Sequence, residues 1–123
     1  MIKISYSLIQ AYVTKDGSEI RELMHPTVHG NRNLSLAEAI VRPGTETRLH
    51  LHHRTEEIYH VTAGTGVMTL GDRTFSVTAG DSVCIPPGSA HRIRNTGDCD
   101  LKILCCCAPA YSHEDTEIRH YLE

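Results

Sequence analysis

The chain has 123 residues and a formal net charge of −3, with 12 Lys and Arg residues against 15 Asp and Glu residues. This length predicts one domain spanning residues 1–123, and the charge disfavours binding to nucleic acid or to an anionic membrane. Because there is no apolar run long enough for a membrane span and no signal-peptide pattern at the start, we expect a cytoplasmic protein without a membrane partner.

The first predicted element is the run from Asp16 to Met24, and the sequence leaves its type open. Asp16 followed by Glu19 resembles a helix start, and Ile20, Leu23 and Met24 follow at helical spacing. Short amphipathic runs of this kind also fit edge strands.

From Leu34 onward, short strand-like runs alternate with turn signals such as Pro43-Gly44 and Pro86-Pro87-Gly88. The clearest pair is "VMTL" and "RTFSV", which a Gly71-Asp72 loop joins as a β-hairpin with a primed turn. Because no helical spans separate the runs, the pattern predicts an all-β sandwich or barrel. The C-terminal "SHEDTEIRHYLE" fits one or two helical turns that begin at Ser112.

Residues 48–61 concentrate four histidines and two glutamates in fourteen positions. On a strand, His50 and His52 point to one face, and Arg48 shares their parity. A carboxylate from the next strand, contributed by Glu57 if that residue points inward, would close a third side. Two imidazoles and a carboxylate suit a first-row divalent metal ion.

A fourth ligand is expected from the run "GDSVCIPPGSAHRIRN". There a proline-glycine turn precedes a strand that carries His91 and Asn95 on one face. His91 is the only histidine between His60 and His113.

These two stretches resemble the two conserved motifs of the cupin family. The first motif is matched by Gly44, His50, His52, Glu57 and Gly64, and the second by Gly80, Pro86, Gly88, His91 and Asn95. The resemblance covers about residues 34–108, and the chain is identified as a small single-domain cupin.

The resemblance implies a jelly-roll β-barrel of two antiparallel sheets with six to eight strands and with short irregular or helical ends. In cupins, the residues that match His50, His52, Glu57 and His91 hold one metal ion inside the barrel: Fe, Mn, Zn, Ni or Cu. Two coordination positions usually stay open for water or substrate. The resemblance also implies a homodimer.

Three assignments near the expected site stay open. Family spacing favours Glu57 over Glu56 as the ligand, which leaves Glu56 as a surface charge or as an acceptor for a ligating imidazole. Tyr59 would then point inward, either to orient a ligand or act as an acid, or to pack in the core bonded to a carbonyl. Arg48 would hold an anionic substrate group or form a rim salt bridge with Glu46.

The run "LKILCCC" contains three of the five cysteines, an odd number that indicates free thiols rather than a disulfide framework. Cys105 and Cys107 share the parity of Ile103, and Cys106 lies opposite. We expect the buried thiols to pack as small apolar side chains. The alternative is a thiolate near the metal, which requires that this face of the strand point into the barrel.

A site of this type predicts a small metalloenzyme with Glu57, Tyr59 and Arg48 as catalytic candidates. Its ligand would be a small polar molecule in the barrel, sugar-derived or a hydroxy or keto acid, converted by isomerase, lyase or dioxygenase chemistry. One Phe and no Trp disfavour a large flat substrate. The alternatives are a non-catalytic metal-dependent binding or sensor module and a stable barrel in which the metal is structural.

Overall fold

The structure is a computed structural model that describes residues 2–120. Within this range it has eleven strands, one short α-helix and one 3-10 turn at Tyr6–Leu8. The elements that follow are β1 Tyr12–Val13, β2 Glu19–Met24, α1 Pro26–His29, β3 Ser35–Val41, β4 His50–His52, β5 Glu56–Ala63, β6 Thr65–Leu70, β7 Arg73–Thr78, β8 Ser82–Ile85, β9 His91–Asn95, β10 Leu101–Ala108 and β11 Thr116–Ile118. Among residues 2–120 there is no helix of the length and apolarity needed to cross a membrane.

Two antiparallel sheets form a cupin-type jelly roll. One has the strand order β1-β2-β3-β10-β5-β8 and the other β11-β4-β9-β6-β7. The expected barrel of six to eight strands corresponds to the eight strands β3 to β10. The remaining strands extend it: β1 and β2 lengthen the first sheet, and β11 lengthens the second. The all-β prediction is confirmed, and the chain ends contribute strands as well as irregular segments.

The predicted hairpin is present as β6 and β7. Leu70 pairs with Arg73 across the two-residue Gly71-Asp72 loop. Gly71 has a φ of 59°, the positive value that a primed turn with glycine in its first central position requires.

The run from Asp16 to Met24 adopts the strand alternative. Ile20 lies opposite Ala39 of β3, so the backbone of this run forms hydrogen bonds with the sheet. A short isolated helix is only marginally stable, and pairing with the sheet is therefore favoured. Asp16 caps a tight turn before the strand, since its Oδ1 accepts hydrogen bonds from the Ser18 amide and hydroxyl. The polar pattern at Asp16, which also fits a helix cap, belongs to a turn.

The C-terminal segment also becomes a strand after its first turn. Ser112 Oγ accepts a hydrogen bond from the Asp115 amide, as a cap would. The chain then extends as β11, in which Thr116 pairs with His52 and Ile118 with His50 of β4. Residues 121–123 of the predicted helical turns lie outside the described residues.

The interior between the sheets is apolar on one side and polar on the other. Side chains that are fully buried include Val61, Met68, Ile93, Leu101 and Ile103. The alternation predicted for β10 is confirmed, because Cys105 and Cys107 are buried and Cys106 is only half-buried. This strand therefore has the inward face that a thiol near the site requires.

Candidate metal centre

Three strands bring the histidines and the glutamate together. His50 and His52 lie two positions apart on β4, and His91 of β9 is the direct cross-strand partner of His50. Glu57 comes from β5 in the opposite sheet. All four side chains are at least 94% buried, and one ring nitrogen from each histidine lies within 4.8 Å of the others.

The carboxylate of Glu57 faces two of the rings. Its Oε1 is 3.2 Å from Nε2 of His52 and 3.6 Å from Nε2 of His91. Glu57 is buried and Glu56 is exposed, as the family spacing favours and as parity alone could not decide.

The Nδ1 atom of each histidine is held by a partner outside the cluster. In His50 it lies 2.7 Å from the Arg48 carbonyl oxygen, and in His91 it lies 2.9 Å from the Ser89 carbonyl oxygen. A carbonyl oxygen can only accept, so these Nδ1 atoms carry a proton and donate it.

His52 follows the same rule through Thr116. Its Nδ1 is 2.9 Å from Thr116 Oγ1, and that hydroxyl already donates its proton to the Ser112 carbonyl oxygen. The Thr116 hydroxyl must therefore accept from His52. In the neutral form, all three rings carry a lone pair on Nε2, the nitrogen left free to bind a metal ion.

At pH 7 the cluster combines a neutral His50 ring with an anionic carboxylate. Burial, followed by the proximity of His91, lowers the pKa of His50 to about 4, so this ring is neutral at pH 7. Burial alone would raise the pKa of Glu57, but attraction to the protonated forms of His52 and His91 outweighs it and holds the pKa at about 2. Glu57 is therefore an anion at pH 7.

The residues fit a metal ion. Glu57 Oε1 and His91 Nε2 are fully buried and make no hydrogen bond within the described chain. A proton on His52 or His91 would satisfy one pair of atoms, whereas a metal ion among the three Nε2 atoms and the carboxylate would satisfy all of them. Imidazole nitrogens whose other nitrogen donates to an oxygen are the usual ligands of such ions in proteins.

The catalytic candidates are placed differently from one another. Tyr59 is buried, lines the cavity and has its ring centroid 5.9 Å from that of His91. Burial raises the pKa of Tyr59 well above its usual value, so the phenol stays protonated at neutral pH.

Arg48 lies on the outside of the barrel. It is exposed, and it borders a surface groove with Arg92 and Arg119 rather than the cavity. The parity argument needed a continuous strand, but β4 begins only at His50, and Thr47 takes the inward position instead.

The sequence did not identify Asp16, Thr116 and Cys107 as residues of this site. Asp16 Oδ2 is 3.4 Å from His50 Nε2, and Cys107 Sγ donates to Glu57 Oε2 at 3.4 Å. The inward face of Cys107 followed from strand alternation, whereas Asp16 and Thr116 reach the site from the chain ends without a motif that marks them.

The cavity around these groups is small. Its volume is about 40 Å³, and a single ordered water needs on the order of 10–15 Å³ by the same measure. Besides His50, His52 and Glu57, the lining includes Tyr12, Thr47, Tyr59, Cys105 and Tyr111. The space admits an ion with a few further atoms.

A family model described as Cupin domain matches residues 37–107, and the protein belongs to this family. The chain is 53% identical to the uncharacterized protein MJ1618 of Methanocaldococcus jannaschii over 96% of this chain and 94% of that protein. It is 34% identical to protein SchB of Streptomyces halstedii, over 82% and 77% of the two lengths.

A solved structure shares the fold. The polyketide cyclase RemF from Streptomyces resistomycificus aligns with a TM-score of 0.81 at 22% identity, over 100% of this chain and 87% of that one. At this identity the likeness concerns the fold alone.

Proposed function

We propose that this cupin is a metalloenzyme that uses one divalent transition metal ion held by His50, His52, His91 and Glu57. The observation that carries the proposal is the buried convergence of three Nε2 atoms and an anionic carboxylate, each ring fixed from behind by an oxygen acceptor. A set of three nitrogens and one oxygen suits borderline metals, so Fe, Mn, Zn, Ni and Cu are the candidates.

The bound ion would supply Lewis acidity, polarising a carbonyl group or acidifying a coordinated water. The protein supplies the surroundings. Tyr59 offers a phenolic O–H in the cavity beside His91, in position to donate to a polar substrate group. Arg48 is too far outside the barrel to hold an anionic group there, so we assign it no part in the reaction.

The substrate that we propose is a small polar molecule, such as a sugar derivative or a hydroxy or keto acid. A cavity of about 40 Å³ admits only a reacting group of a few atoms next to the histidines. Tyr12, Glu22 and Tyr111 border both this cavity and a surface groove of about 660 Å³, so a ligand would enter between these residues and leave its remainder in the groove.

The name of one structural neighbour bears on the reaction. RemF is named as a polyketide cyclase, and a polycyclic ring system would not fit beside these histidines without displacing cavity side chains. Lewis-acid isomerisation or elimination on a small substrate agrees better with the space, and oxygenation is the alternative if the ion is Fe or Cu.

Elemental analysis of the purified protein tests the metal site. We expect about one transition metal ion per chain and a loss of at least tenfold in bound metal in His52→Ala. The matched control is His53→Ala, which removes an exposed neighbouring imidazole and should retain the metal. A folded His52→Ala protein with unchanged metal content would contradict the ligand assignment.

Turnover then separates an enzyme from a binding module. We expect the metal-loaded protein to convert a member of a panel of small hydroxy acids, keto acids and sugar derivatives, and His52→Ala to be inactive. Tight binding of a panel member without conversion would instead identify the metal-dependent binding module.

A further inference from the structure

The turn between β1 and β2 places a second carboxylate beside the histidines. Asp16 is about nine-tenths buried and lines the same cavity as His50 and Glu57. Its Oδ2 lies 3.4 Å from Nε2 of His50. Glu57 approaches the other two histidines, so the two carboxylates serve different members of the cluster.

The position of this carboxylate is fixed by three hydrogen bonds. Oδ1 accepts from the Ser18 amide at 2.9 Å and from the Ser18 hydroxyl at 2.6 Å, and these bonds hold the plane of the carboxylate. The Asp16 carbonyl oxygen accepts from the Arg48 amide at 2.7 Å, which ties the turn to the segment that leads into His50. The second oxygen, Oδ2, is left to face the ring.

In its neutral form, His50 has no proton available for that contact. Nδ1 of His50 donates to the Arg48 carbonyl oxygen, so in the neutral ring Nε2 is a lone pair. Two acceptors therefore face each other at 3.4 Å in a buried place. Such an arrangement is unfavourable unless a cation lies against both atoms.

The distance fits a shared ion. Two donor atoms at about 2.0–2.2 Å from one metal ion and about 110° apart are about 3.4 Å from each other. The Asp16–His50 pair meets this condition, and the Glu57–His52 pair at 3.2 Å and the Glu57–His91 pair at 3.6 Å lie on either side of it.

We propose that Asp16 is a fifth protein ligand of the metal ion, in addition to the three histidines and Glu57. This inference rests on the proposed metal centre and deepens it. With five protein ligands, the ion would keep fewer open positions for a substrate than with four. The site would also gain a second negative charge, which favours a divalent or trivalent ion and a neutral or weakly anionic ligand.

Cobalt binding tests the assignment, because Co²⁺ reports its coordination number through its visible absorption. Metal-free wild-type protein and the variants Asp16→Asn and Asp16→Ala are titrated with Co²⁺. Asp16→Asn preserves an acceptor for Ser18, whereas Asp16→Ala removes the ligand entirely. We expect both variants to bind Co²⁺ at one per chain, with at least tenfold lower affinity and an altered visible spectrum.

Asp81→Asn is the matched control. Asp81 also caps a turn, since its carboxylate accepts a hydrogen bond from the Thr78 amide at 2.8 Å. It is exposed, however, and does not line the cavity that contains His50 and His52. This variant should keep the wild-type spectrum and affinity. A change confined to stability in the Asp16 variants would show that Asp16 has only the same turn-forming role.

Two results overturn the inference, and they are distinguishable. Wild-type spectrum and affinity in both folded Asp16 variants would remove Asp16 from the coordination sphere and leave the four-ligand site intact. Failure of the folded wild-type protein to bind Co²⁺ would refute the proposed metal centre together with this inference.

Discussion

At the scale of single residues, the acceptor that each Nδ1 atom contacts sets the orientation of His50, His52 and His91. Each ring donates from Nδ1 to an oxygen of a neighbouring segment, and this contact fixes both its orientation and its tautomer. Two of these acceptors are main-chain carbonyl oxygens, which substitution does not remove. The third is the side chain of Thr116, so it can be tested directly.

We expect Thr116→Val to lower metal affinity about 10- to 100-fold, because His52 loses its acceptor while the shape of the side chain is preserved. A competition titration against a chromophoric chelator measures the effect. Thr62→Val, an exposed threonine substitution on β5, is the control and should bind metal as the wild type does. Equal affinity of all three proteins would refute this role for Thr116.

At the scale of elements, the turn between β5 and β6 packs against backbone. Gly64 has a φ of 87°, and a Cβ built there would be 2.7 Å from the Asp100 carbonyl oxygen and 2.9 Å from the Leu101 Cα. Gly64, the second glycine of the first motif, therefore permits both a left-handed turn and the close approach of the loop before β10. The turn positions β5, the strand that carries Glu57 and Tyr59.

Gly64→Ala and Gly44→Ala separate these two demands. Gly44 has a φ of 76° with no atom within 4 Å of a built Cβ, so Gly44→Ala should cost only about 1–2 kcal/mol of backbone strain. Gly64→Ala should cost about 1–3 kcal/mol more, because backbone atoms must also move. Urea unfolding measures both free energies. Equal losses of unfolding free energy in the two variants would contradict the close approach of the Asp100 backbone to Gly64.

At the scale of the whole molecule, the barrel brings two carboxylates and the Nε2 atoms of three histidines together in one buried place. We expect a cation bound among Glu57, Asp16 and the three rings to stabilise the native state, because a ligand that binds only the folded form favours folding. Metal at about one hundred times its dissociation constant would add about 2.7 kcal/mol to the free energy of unfolding. The homodimer and the cytoplasmic location stay predictions.

We therefore expect the melting temperature of the metal-free protein to rise on the order of 10 °C with saturating metal. Thermal melts monitored by circular dichroism, with chelator and then with added ion, measure the shift. His52→Ala should show little of it, since its binding is weakened. Superimposable melts of the metal-free and metal-loaded wild type would contradict a stabilising ion.

The sequence by itself determined the barrel and most of the histidine and glutamate cluster inside it. Turn signals with alternating strands predicted the hairpin of β6 and β7, and two local motifs predicted that His50, His52, Glu57 and His91 come together, as they do. Strand alternation acts over two to four residues, so short stretches of sequence contain it. The same rule failed for Arg48, because β4 does not extend that far.

The tertiary structure alone decided what surrounds the histidines. Asp16 reaches His50 because β2 pairs with β3, and Thr116 reaches His52 across 64 positions because β11 pairs with β4. The runs that contain these residues fit a helix start as well as an edge strand, since capping chemistry is local and is the same before a turn or a helix. Sheet pairing between distant segments set the outcome, and no short stretch of sequence contains that information.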